Sequence, residues 1–571
     1  MTQEPAHETT RLQPLRLWPG VLAVAAQWLI RFGLPAVTPG SMGLAALGGV
    51  LGGLAVVLWW AFLSRAPRSE RWGGVALMLG ALTLTYLLNH ESMGQLWLIS
   101  YAAPTVCAAF VSWAVLSRRS VGRARLLTMS LTILLACGAW TLFRSHGITG
   151  YGRADFAWRW AATPEERLLA QADDGSLHPR SASAAVDSGI GWPGFRGSQR
   201  DGIVHGAQIE TDWSQTPPVE LWRRPVGPGW SSFSVGAGLI YTQEQRGADE
   251  VVSSHDATTG EPIWKHYVAA RFWESQAGAG PRATPTLYEG RLYALGATGI
   301  LSALDAETGS ILWTCNVGED AGEAVPIWGF SGSPLTLGEL VVVAASGTLV
   351  AYDAATGELR WRGPDGDGES YASPHRVTLD GVEQILLPRA DGLIAVDPDD
   401  GEALWEHAWP GFRIVQPAVL PGGDLLLASE KNGVRRLRVG FGLGGWTVEE
   451  LWTSTRLKPY FSDFVVHEGH VFGFDGGILA CIDLENGERR WKGGRYGHGQ
   501  LLLLPELDML LVLSEHGGLA LVKATPDGFV ETAAMPVIEG KTWNHPVLAD
   551  GLLFVRNGEE MAAFRLRQAG G

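Results

Sequence analysis

The hydrophobic pattern divides the chain into two parts. The first 144 residues contain five apolar runs, at about 17 to 36, 44 to 64, 73 to 89, 96 to 116 and 126 to 143. Each run is long enough to cross a bilayer as a helix, for which roughly 20 residues are needed. From residue 192 onward, short apolar runs of strand length alternate with turn residues. The sequence therefore predicts an all-α membrane region followed by an all-β domain.

The arginines between the apolar runs predict how the chain crosses the membrane. Loop arginines stand before the first run, between the second and third, and between the fourth and fifth: Arg11, Arg16, Arg65, Arg68, Arg71, Arg118, Arg119, Arg123 and Arg125. The two alternate loops carry no Lys or Arg. The positive-inside rule then puts the N-terminus in the cytoplasm and everything after Arg144 on the other side. We expect a multi-pass bacterial inner-membrane protein, in contact with lipid, whose C-terminal domain lies in the periplasm.

The charge balance of the second part argues against one class of partner. The first 144 residues contain 11 arginines and four acidic residues, whereas the whole chain contains 44 basic and 59 acidic residues. The β-rich part is therefore strongly acidic and repels phosphate backbones. We expect no nucleic-acid partner.

A nine-residue repeat runs through the β-rich part. Five segments align without gaps: DATTGEPIW, DAETGSILW, DAATGELRW, DPDDGEALW and DLENGERRW. Their aspartates are Asp256, Asp305, Asp353, Asp397 and Asp483, and their tryptophans are Trp264, Trp313, Trp361, Trp405 and Trp491. In each segment Gly follows Asp by four positions and Trp follows Asp by eight, which indicates an internal repeat.

Each repeat has the residues of a β-hairpin. The Asp side chain accepts backbone N–H groups of the turn, and the Gly adopts the positive φ that such a turn with a following bulge requires. The Trp then packs between neighbouring sheets. Four strands per roughly 45 residues, repeated, predict a β-propeller.

The tryptophans also predict the number of blades. Strand ends at Trp222, Trp452 and near Phe529 to Met535 extend the five repeats to eight. The segment PVELWRRP (218 to 225) has no strands before it, and the last blade lacks a fourth strand. Pairing the two closes the ring without an open edge. The predicted domains are residues 1–144, five spans; 145–191, a connector with a polar linker at 176–189 and one short helix capped by Thr163; and 192–571, an eight-bladed propeller.

At this point the sequence resembles a known family. The D-x-x-x-G-x-x-x-W repeats, with the openings GPRATPTLYEGRLYALGATG and WGFSGSPL, are similar to the pyrroloquinoline-quinone-type (PQQ-like) repeats of the quinoprotein dehydrogenase superfamily. The resemblance covers about residues 192 to 566. It implies the propeller fold, and WPGFRGSQRDG resembles the segment that often precedes such propellers. The superfamily also contains non-enzymatic propellers, such as the outer-membrane assembly lipoprotein.

The starts of the inner strands predict a candidate site. All inner strands of a propeller run in the same direction, so their first residues surround one mouth of the central channel. The candidate ligand-binding residues there are Trp230, Arg282, Trp328, Arg413, Gln416, Asp463, His498, Trp543, Asn544 and His545. They combine aromatic walls with a few polar groups, which is typical of a small-ligand site, although the same residues could bind only water and one another.

Two functions compete for this mouth. A PQQ-dependent dehydrogenase, oxidising an alcohol or sugar and reducing membrane quinone, would hold Ca2+ beside the quinone, and the resemblance allows PQQ with Ca2+ as a cofactor. Calcium needs six to eight oxygen ligands, and the mouth offers Asp463 with Asn544 as a companion. The adjacent-cysteine pair of several alcohol-oxidising members is absent, and no catalytic residue can be named. We therefore favour a binding or scaffold propeller for a periplasmic protein or small ligand over an enzyme.

No metal site is predicted. The four cysteines form no CxxC motif. The motif HEGH (467 to 470) lacks the spacing of a zinc protease and lies between two strand patterns, which predicts a turn.

Overall fold

The computed structural model describes residues 15–38, 41–120, 122–171, 191–366, 368–411 and 414–568. The polar linker predicted at 176–189 lies outside these residues. The chain divides into two compact units, Met1–Ala161 and Ala162–Gly571.

The first unit contains five helices long and apolar enough to span a membrane, as the sequence predicted. These spans are Trp18–Val37, Gly43–Leu63, Arg68–Leu88, Leu98–Arg119 and Arg123–Leu142. In more detail, the helical elements are Trp18–Trp28, Leu29–Gly33, Leu34–Val37, Met42–Leu58, Trp59–Leu63, Arg68–Leu88, Gln95–Trp97, Leu98–Ala102, Ala103–Leu116, Ser117–Arg119, Arg123–Gly138 and Ala139–Leu142. A hairpin of the strands Phe143–Ile148 and Ala154–Trp158 follows within the same unit and was not predicted.

Glycines bring the first two spans close together. A Cβ on Gly52 would lie 2.5 Å from the Cβ of Gln27, and Gln27 donates its side-chain amide to the Gly49 carbonyl at 2.8 Å. Small residues at helix contacts are the usual means of close packing in membranes, where lipid is as apolar as the side chains. This packing explains the glycine-rich sequence of the second span.

Three buried charged side chains hold two further pairs of spans together. Arg31 lies in a π-helical turn, donates its Nε to the Ser100 carbonyl at 2.9 Å, and packs over the Tyr101 ring. Near the start of the third span, Glu70 lies 3.2 Å from the Nε of Arg125 in the fifth. A buried charge requires such partners, because an unpaired charge in an apolar interior is costly.

The second unit is an eight-bladed propeller, which confirms the prediction. Each blade is a four-stranded antiparallel sheet. From the inner to the outer strand, the blades are as follows: blade 1, Ser234–Gly236, Leu239–Arg246, Asp249–Asp256 and Pro262–Val268; blade 2, Thr286–Tyr288, Arg291–Leu295, Ile300–Asp305 and Ile311–Asn316; blade 3, Leu335–Leu337, Leu340–Ala345, Thr348–Asp353 and Leu359–Arg362; blade 4, His375–Leu379, Val382–Pro388, Gly392–Val396 and Ala403–Ala408; blade 5, Ala418–Val419, Leu425–Ser429, Gly433–Gly442 and Gly445–Ser454; blade 6, Val465–His467, His470–Phe474, Ile478–Asp483 and Arg489–Arg495; blade 7, Gln500–Leu504, Met509–Leu513, Gly518–Lys523 and Glu531–Pro536; and blade 8, Val547–Ala549, Leu552–Arg556, Glu560–Arg565 and Val219–Pro225.

The ring closes as the sequence predicted. Val219–Pro225 pairs antiparallel with Glu560–Arg565 and so completes blade 8 with a strand from the start of the domain. The other elements of the unit are a helix at Pro164–Ala170, a short hairpin of Trp273–Glu274 and Gly278–Ala279, a helix at Val317–Ala321 and a 3-10 turn at Pro505–Leu507. The first of these helices has the predicted capping box between Thr163 and Glu166.

The repeat forms the seam between neighbouring blades. In the turn of blade 3, the Asp353 carboxylate accepts the N–H of Thr356 at 2.8 Å, and Gly357 has φ +74°. Trp313 of blade 2 lies over this turn and donates its indole N–H to the Ala354 carbonyl at 3.1 Å. A Cβ on Gly357 would lie 2.6 Å from the Trp313 ring. The Gly is thus required twice, for its φ and for the approach of the tryptophan.

The same contact recurs around the ring. In five further cases, the indole N–H of a tryptophan donates to a backbone carbonyl in the equivalent turn of the next blade, at 2.7 to 3.2 Å. These tryptophans are Trp222, Trp264, Trp361, Trp452 and Trp491. Trp405 of blade 4 is the exception among these repeat tryptophans, because it donates to Gln384 of its own blade at 2.7 Å. The reason lies in blade 5, where the Asp-to-Gly turn is replaced by a longer hairpin, Gly433–Gly442 and Gly445–Ser454.

Candidate binding site at the propeller mouth

The mouth is underlain by a ring of polar side chains, one from each blade. They lie at or just before the start of each inner strand and are Ser232, Thr284, Ser333, Ser373, Gln416, Asp463, Gln500 and His545. The N–H of Thr284 donates to the Ser333 hydroxyl at 2.9 Å, and the N–H of Asp463 donates to the Gln500 side chain at 3.2 Å. We call this set the polar ring. It satisfies backbone groups that would otherwise be buried without partners.

Three of the predicted site residues belong to the polar ring. Gln416 donates its N–H to Asp463 Oδ1 at 3.1 Å, and the Ser232 hydroxyl donates to the His545 carbonyl at 2.6 Å. His545 Nε2 lies 2.7 Å from Asp463 Oδ2. The structure therefore brings Asp463 and His545, both predicted at the mouth, into direct contact.

A segment before blade 1 closes the channel beneath the polar ring. Residues 192–204, which we call the channel plug, form bridges with the inner strands of blades 1 and 7, through Trp192 to Val235 and through Ile203 to Leu503. Arg200 of the plug donates to the carbonyls of Ser333 at 3.3 Å and Pro374 at 2.8 Å, in blades 3 and 4. The channel is therefore crossed by chain and is not an open pore at this level.

The channel plug engages the polar ring through a buried ion pair. Arg196 lies 3.4 Å from Asp463 Oδ1 and donates to the Phe464 carbonyl at 2.9 Å, and both charged side chains are about 3% exposed. Burial alone would raise the pKa of Asp463, but Arg196 and His545 outweigh it and lower the pKa. Burial, reinforced by Arg200 and Arg196, lowers the pKa of the adjacent His375 to about 3. Asp463 is thus an ionised anchor of the plug.

Above the polar ring, aromatic side chains of several blades contact one another. The Trp230 and Trp543 rings lie 4.7 Å apart, and Phe461 lies 5.0 Å from Trp543. The chain of contacts continues through His498 and Tyr460, which lie 5.4 and 5.0 Å from Phe461. We call the full set the aromatic belt: Trp230, Trp328, Tyr371, Tyr460, Phe461, His498 and Trp543.

The aromatic belt also reaches across the mouth. Trp328, from the segment before blade 3, lies 4.9 Å from the Tyr371 ring and 6.5 Å from the Tyr460 ring of blade 6. Trp230, Trp328 and Trp543 are each partly exposed. The mouth therefore presents a largely aromatic surface over a polar floor that is mostly hydrogen bonded, apart from the side-chain amide of Gln416, which has no partner.

Polar groups fix the aromatic side chains in place. Glu515 accepts the indole N–H of Trp543 at 3.1 Å and the backbone N–H of His498 at 3.0 Å. Burial lowers the pKa of His498, against the opposing effect of Glu515, so its ring is neutral at pH 7. Lys541 Nζ lies 4.7 Å from the Trp543 ring centroid and 5.3 Å from that of Trp230. Cation–π contact of this kind stabilises exposed aromatic rings.

The remaining predicted residues have other surroundings. Arg282 is one of the candidate ligand-binding residues, and its guanidinium donates to the carbonyls of Gly278 and Gly280 at 2.8 and 2.9 Å and lies 3.3 Å from Glu274. Asn544 donates to the Ser231 carbonyl at 2.6 Å. Arg413 lies outside the described residues.

Sequence reasoning missed Phe461, Glu515, Lys541 and the two plug arginines. Phe461 could have been found, because it stands four residues before its inner strand, as Trp230 and Trp543 do. Nothing in the spacing of the repeats indicates that Arg196 reaches Asp463, which follows it by 267 residues.

The described residues do not fit PQQ with Ca2+. The Asp463 carboxylate is held by Arg196 and His545, and the Asn544 amide is turned towards the Ser231 carbonyl. Arg282, which would bind a quinone carboxylate, is held by its own hairpin. Calcium requires six to eight oxygens. Among the described mouth residues that the sequence predicted, the buried oxygens without a hydrogen-bond partner are Gln416 Oε1 and Asn544 Oδ1, which are too few for the ion.

Among the described residues, one group of side chains lies close enough together to bind a metal ion. His467, Glu468 and Asp508 have ligand atoms within 4.8 Å of one another. His467 and Glu468 come from HEGH, which forms the predicted turn between two strands of blade 6. The 2.8 Å contact between His467 Nε2 and Asp508 Oδ1 accounts for part of this proximity without a metal.

Comparison with known proteins supports the fold. Residues 248–493 match the family model described as outer membrane protein assembly factor BamB. No curated protein matches the chain. A europium-containing methanol dehydrogenase is 12% identical with a TM-score of 0.50, and the alignment covers 66% of this chain and 98% of that chain.

Two further solved structures are similar. The quinohemoprotein alcohol dehydrogenase of Comamonas testosteroni is 14% identical, with a TM-score of 0.49 and coverage of 68% of this chain and 82% of that chain. BamB from Moraxella catarrhalis is 15% identical, with a TM-score of 0.43 and coverage of 61% and 100%. The match over residues 248–493 and the eight four-stranded blades show a PQQ-like β-propeller fold, as the repeats indicated.

Proposed function

We propose that this protein is a membrane-anchored binding or scaffold module that engages a protein segment or small ligand at the aromatic belt. The observation that carries the proposal is the contrast between the two layers of the mouth. The polar floor is used internally, since the Asp463 carboxylate binds both Arg196 and His545. The aromatic belt above it remains partly exposed, and aromatic surfaces contribute strongly to binding.

The matched family is consistent with such a role. It is described as an outer membrane protein assembly factor, and the match covers the middle blades of this propeller. A scaffold needs a surface for a partner and no catalytic group. Apolar residues continue onto the rim beside Trp328, where Val325 and Ile327 are 47% and 66% exposed.

A photocrosslinking experiment tests the proposal. A photoreactive phenylalanine analogue is placed at Ile327, beside the aromatic belt, in the full chain in its native membrane. The control position is Leu359, on the outer strand of blade 3, which is 49% exposed. We expect a discrete adduct from position 327 that is weak or missing from position 359 and is reduced by Trp328→Ala. Equal labelling from both positions would contradict a partner at the mouth.

Native mass spectrometry tests whether the mouth binds a small ligand. The full chain, extracted in a mild detergent, is expected to retain a defined added mass that Trp543→Ala loses. A protein that shows neither a retained mass nor a position-specific adduct would not be a mouth-binding module.

The dehydrogenase alternative has its own test. We expect that PQQ with Ca2+ neither raises the melting temperature of the full chain nor supports dye reduction with a panel of alcohols and sugars. Saturable binding of PQQ, together with dye reduction on an alcohol or sugar, would contradict the binding role and support the dehydrogenase function.

We also propose that the protein lies in the inner membrane with its propeller in the periplasm. The Arg-rich loops between the spans support this orientation. Alkaline phosphatase fused after Gly571 should be active, because it requires export, whereas a green fluorescent protein fused there by the same export route should be dark. The reverse result would place the propeller in the cytoplasm.

A further inference from the structure

The channel beneath the mouth holds more positive than negative charge. Arg196 and Arg200 of the channel plug and Asp463 of the polar ring are each at most 6% exposed. Among the described residues, Asp463 is the one carboxylate within ion-pair distance of either plug arginine, and it lies 3.4 Å from Arg196. Arg200 donates to backbone carbonyls of blades 3 and 4 instead. Within the described part of the chain, one arginine charge is therefore buried without an opposite charge.

The carbonyls around Arg200 solvate its guanidinium but do not cancel its charge. Burial lowers the pKa of Arg200 from 12.5 to about 9, with no carboxylate of the described residues opposing the effect. This pKa is still above 7, so the guanidinium is charged at neutral pH. A buried charge is normally paired with an opposite charge, because an unpaired one is costly in an apolar interior. The surroundings of Arg200 therefore favour an anion.

Three buried nitrogen atoms in the same part of the channel have no hydrogen-bond partner. They are Arg196 Nε, Gln416 Nε2 and His375 Nδ1. The backbone N–H of Gln416 donates to Asp463 at 3.1 Å, which places Gln416 beside the ion pair. Burial, Arg200 and Arg196 lower the pKa of His375, so its neutral ring can carry a hydrogen on Nδ1. All three nitrogens are thus able to donate to an anion.

The Gln416 side chain also departs from the pattern of the polar ring. At five blade boundaries, a ring side chain accepts the backbone N–H of the ring residue before it, at 2.9 to 3.2 Å. The acceptors are Thr284, Ser333, Ser373, Asp463 and Gln500. By this pattern the Gln416 amide would accept the N–H of Ser373, but neither its oxygen nor its nitrogen has a partner. The Gln416 amide is therefore available to a group that enters the channel.

We propose that a small monovalent anion, such as chloride, binds in the channel between the channel plug and the polar ring, beside Arg200, His375 and Gln416. The anion supplies the opposite charge and accepts hydrogen bonds from the unpartnered donors. The residues around it are at most 6% exposed, which favours a small inorganic anion over a larger ligand. Its role is to fix the channel plug beneath the mouth. This site goes beyond the binding role of the mouth and does not depend on a partner at the aromatic belt.

A halide titration of the full chain in a mild detergent tests the site. The protein is exchanged into sodium gluconate, and chloride or bromide then replaces gluconate at constant ionic strength. Gluconate is too large for a closed site, so this design separates binding from charge screening. We expect a saturable rise in the melting temperature of about 2 °C or more, because a ligand bound only to the folded state stabilises it. No rise, or a rise that does not saturate, would contradict the site.

Two variants of Gln416 and one control assign the response to this site. Gln416→Leu removes the donor and should abolish the rise with halide. Gln416→Glu introduces a negative charge beside Arg200, so its melting temperature should match or exceed that of the unmodified chain in gluconate and should not respond to halide. Gln243→Leu is the control, because Gln243 is equally buried but donates its Nε2 to the Ala283 carbonyl at 2.9 Å. It should keep the halide response, whatever its own melting temperature.

The anomalous signal of bromide gives the position of the anion. In crystals of the full chain grown with bromide, we expect a peak within hydrogen-bond distance of Gln416 Nε2 and His375 Nδ1. Bromide peaks at the surface alone would overturn the proposal. Equal halide responses of Gln416→Leu and Gln243→Leu would overturn it as well.

Discussion

The seam between blades and the mouth of the propeller come from the same repeat, yet they retain it to different degrees. At the seam, Trp313 and Trp361 make the same contact with the next turn, through an indole N–H and a covered glycine. At the mouth, the residues four before the inner strands of blades 1, 2 and 6 are Trp230, Arg282 and Phe461. The seam is a contact between neighbouring blades, and it has the same geometry at most blade boundaries. The mouth is built once, from residues that differ from blade to blade at most positions.

The two regions also differ in what holds them. Seam contacts join each blade to its neighbour, so their energies are nearly local and repeat around the ring. The floor of the mouth depends on distant parts of the chain, as in the contact of Arg196 with Asp463. This difference predicts that seam variants lower stability and that variants of the aromatic belt lower binding.

The largest effect is expected at a seam tryptophan. Trp313→Ala should lower the free energy of unfolding of the propeller by about 3 to 5 kcal/mol, because it removes a buried ring and the hydrogen bond to Ala354. The measurement is a urea titration of the full chain in detergent, followed by the circular dichroism of the strands. Trp273→Ala, at a 41% exposed tryptophan, is the control and should cost under about 1 kcal/mol. A loss below 1 kcal/mol for Trp313→Ala would show that the seam is not a core contact.

The next largest effect is expected at the anchor of the channel plug. Asp463→Asn should cost about 3 kcal/mol, because it leaves Arg196 buried without its carboxylate. Asp508→Asn is the matched control, since Asp508 also contacts a histidine at 2.8 Å but is 68% exposed. It should change stability by less than about 0.5 kcal/mol. Equal effects of the two variants in the urea titration would remove the distinction between plug and surface.

A smaller effect is expected at a seam glycine. Gly357→Ala should cost about 1 to 3 kcal/mol, because φ is +74° and the new Cβ would meet the Trp313 ring. Gly528→Ala, in open space, is the control and should be nearly neutral. If both variants melt alike, the tryptophan does not need the glycine.

The smallest effect concerns pH. The Arg360 guanidinium, with backbone N–H groups of the turn, lowers the pKa of Asp353 from 3.8 to about 2. A lowered carboxyl pKa contributes stability above about pH 4, and this contribution is lost as the pH falls towards 2. Arg360→Gln should therefore make the melting temperature fall less between pH 5 and pH 3. Because the pair is exposed, 0.5 M salt should shrink the difference, and identical pH profiles in low salt would contradict the ion pair.

The fold could be predicted because its determinants are local. Asp353, Gly357 and Trp361 lie within nine residues, and each has a separate physical requirement that the sequence displays. The closing strand Val219–Pro225 could be placed because a missing fourth strand and an unpaired first strand have one simple solution. The five spans follow from length and hydropathy alone.

The site could be predicted only in part, because its contacts are not local. The starts of the inner strands grouped Trp543 with Trp230 and His545 with Asp463, and in the structure the members of each pair contact each other. No spacing rule indicates that Arg282 turns back onto its own hairpin, since that depends on the three-dimensional path of residues 273 to 279. The channel plug was identified as a segment before the propeller, but the role of its arginines depends on contacts with blades 3, 4 and 6.

The separation of binding from folding is tested most directly by Trp543→Ala. The adduct from the photoreactive residue at position 327 is measured in native membranes that carry this variant, with the urea titration as the check of folding. We predict that the adduct is lost, while the free energy of unfolding falls by less than half the loss seen for Trp313→Ala. An unchanged adduct in a folded protein, or an unfolded propeller, would contradict the assignment of the mouth to binding and of the seam to stability.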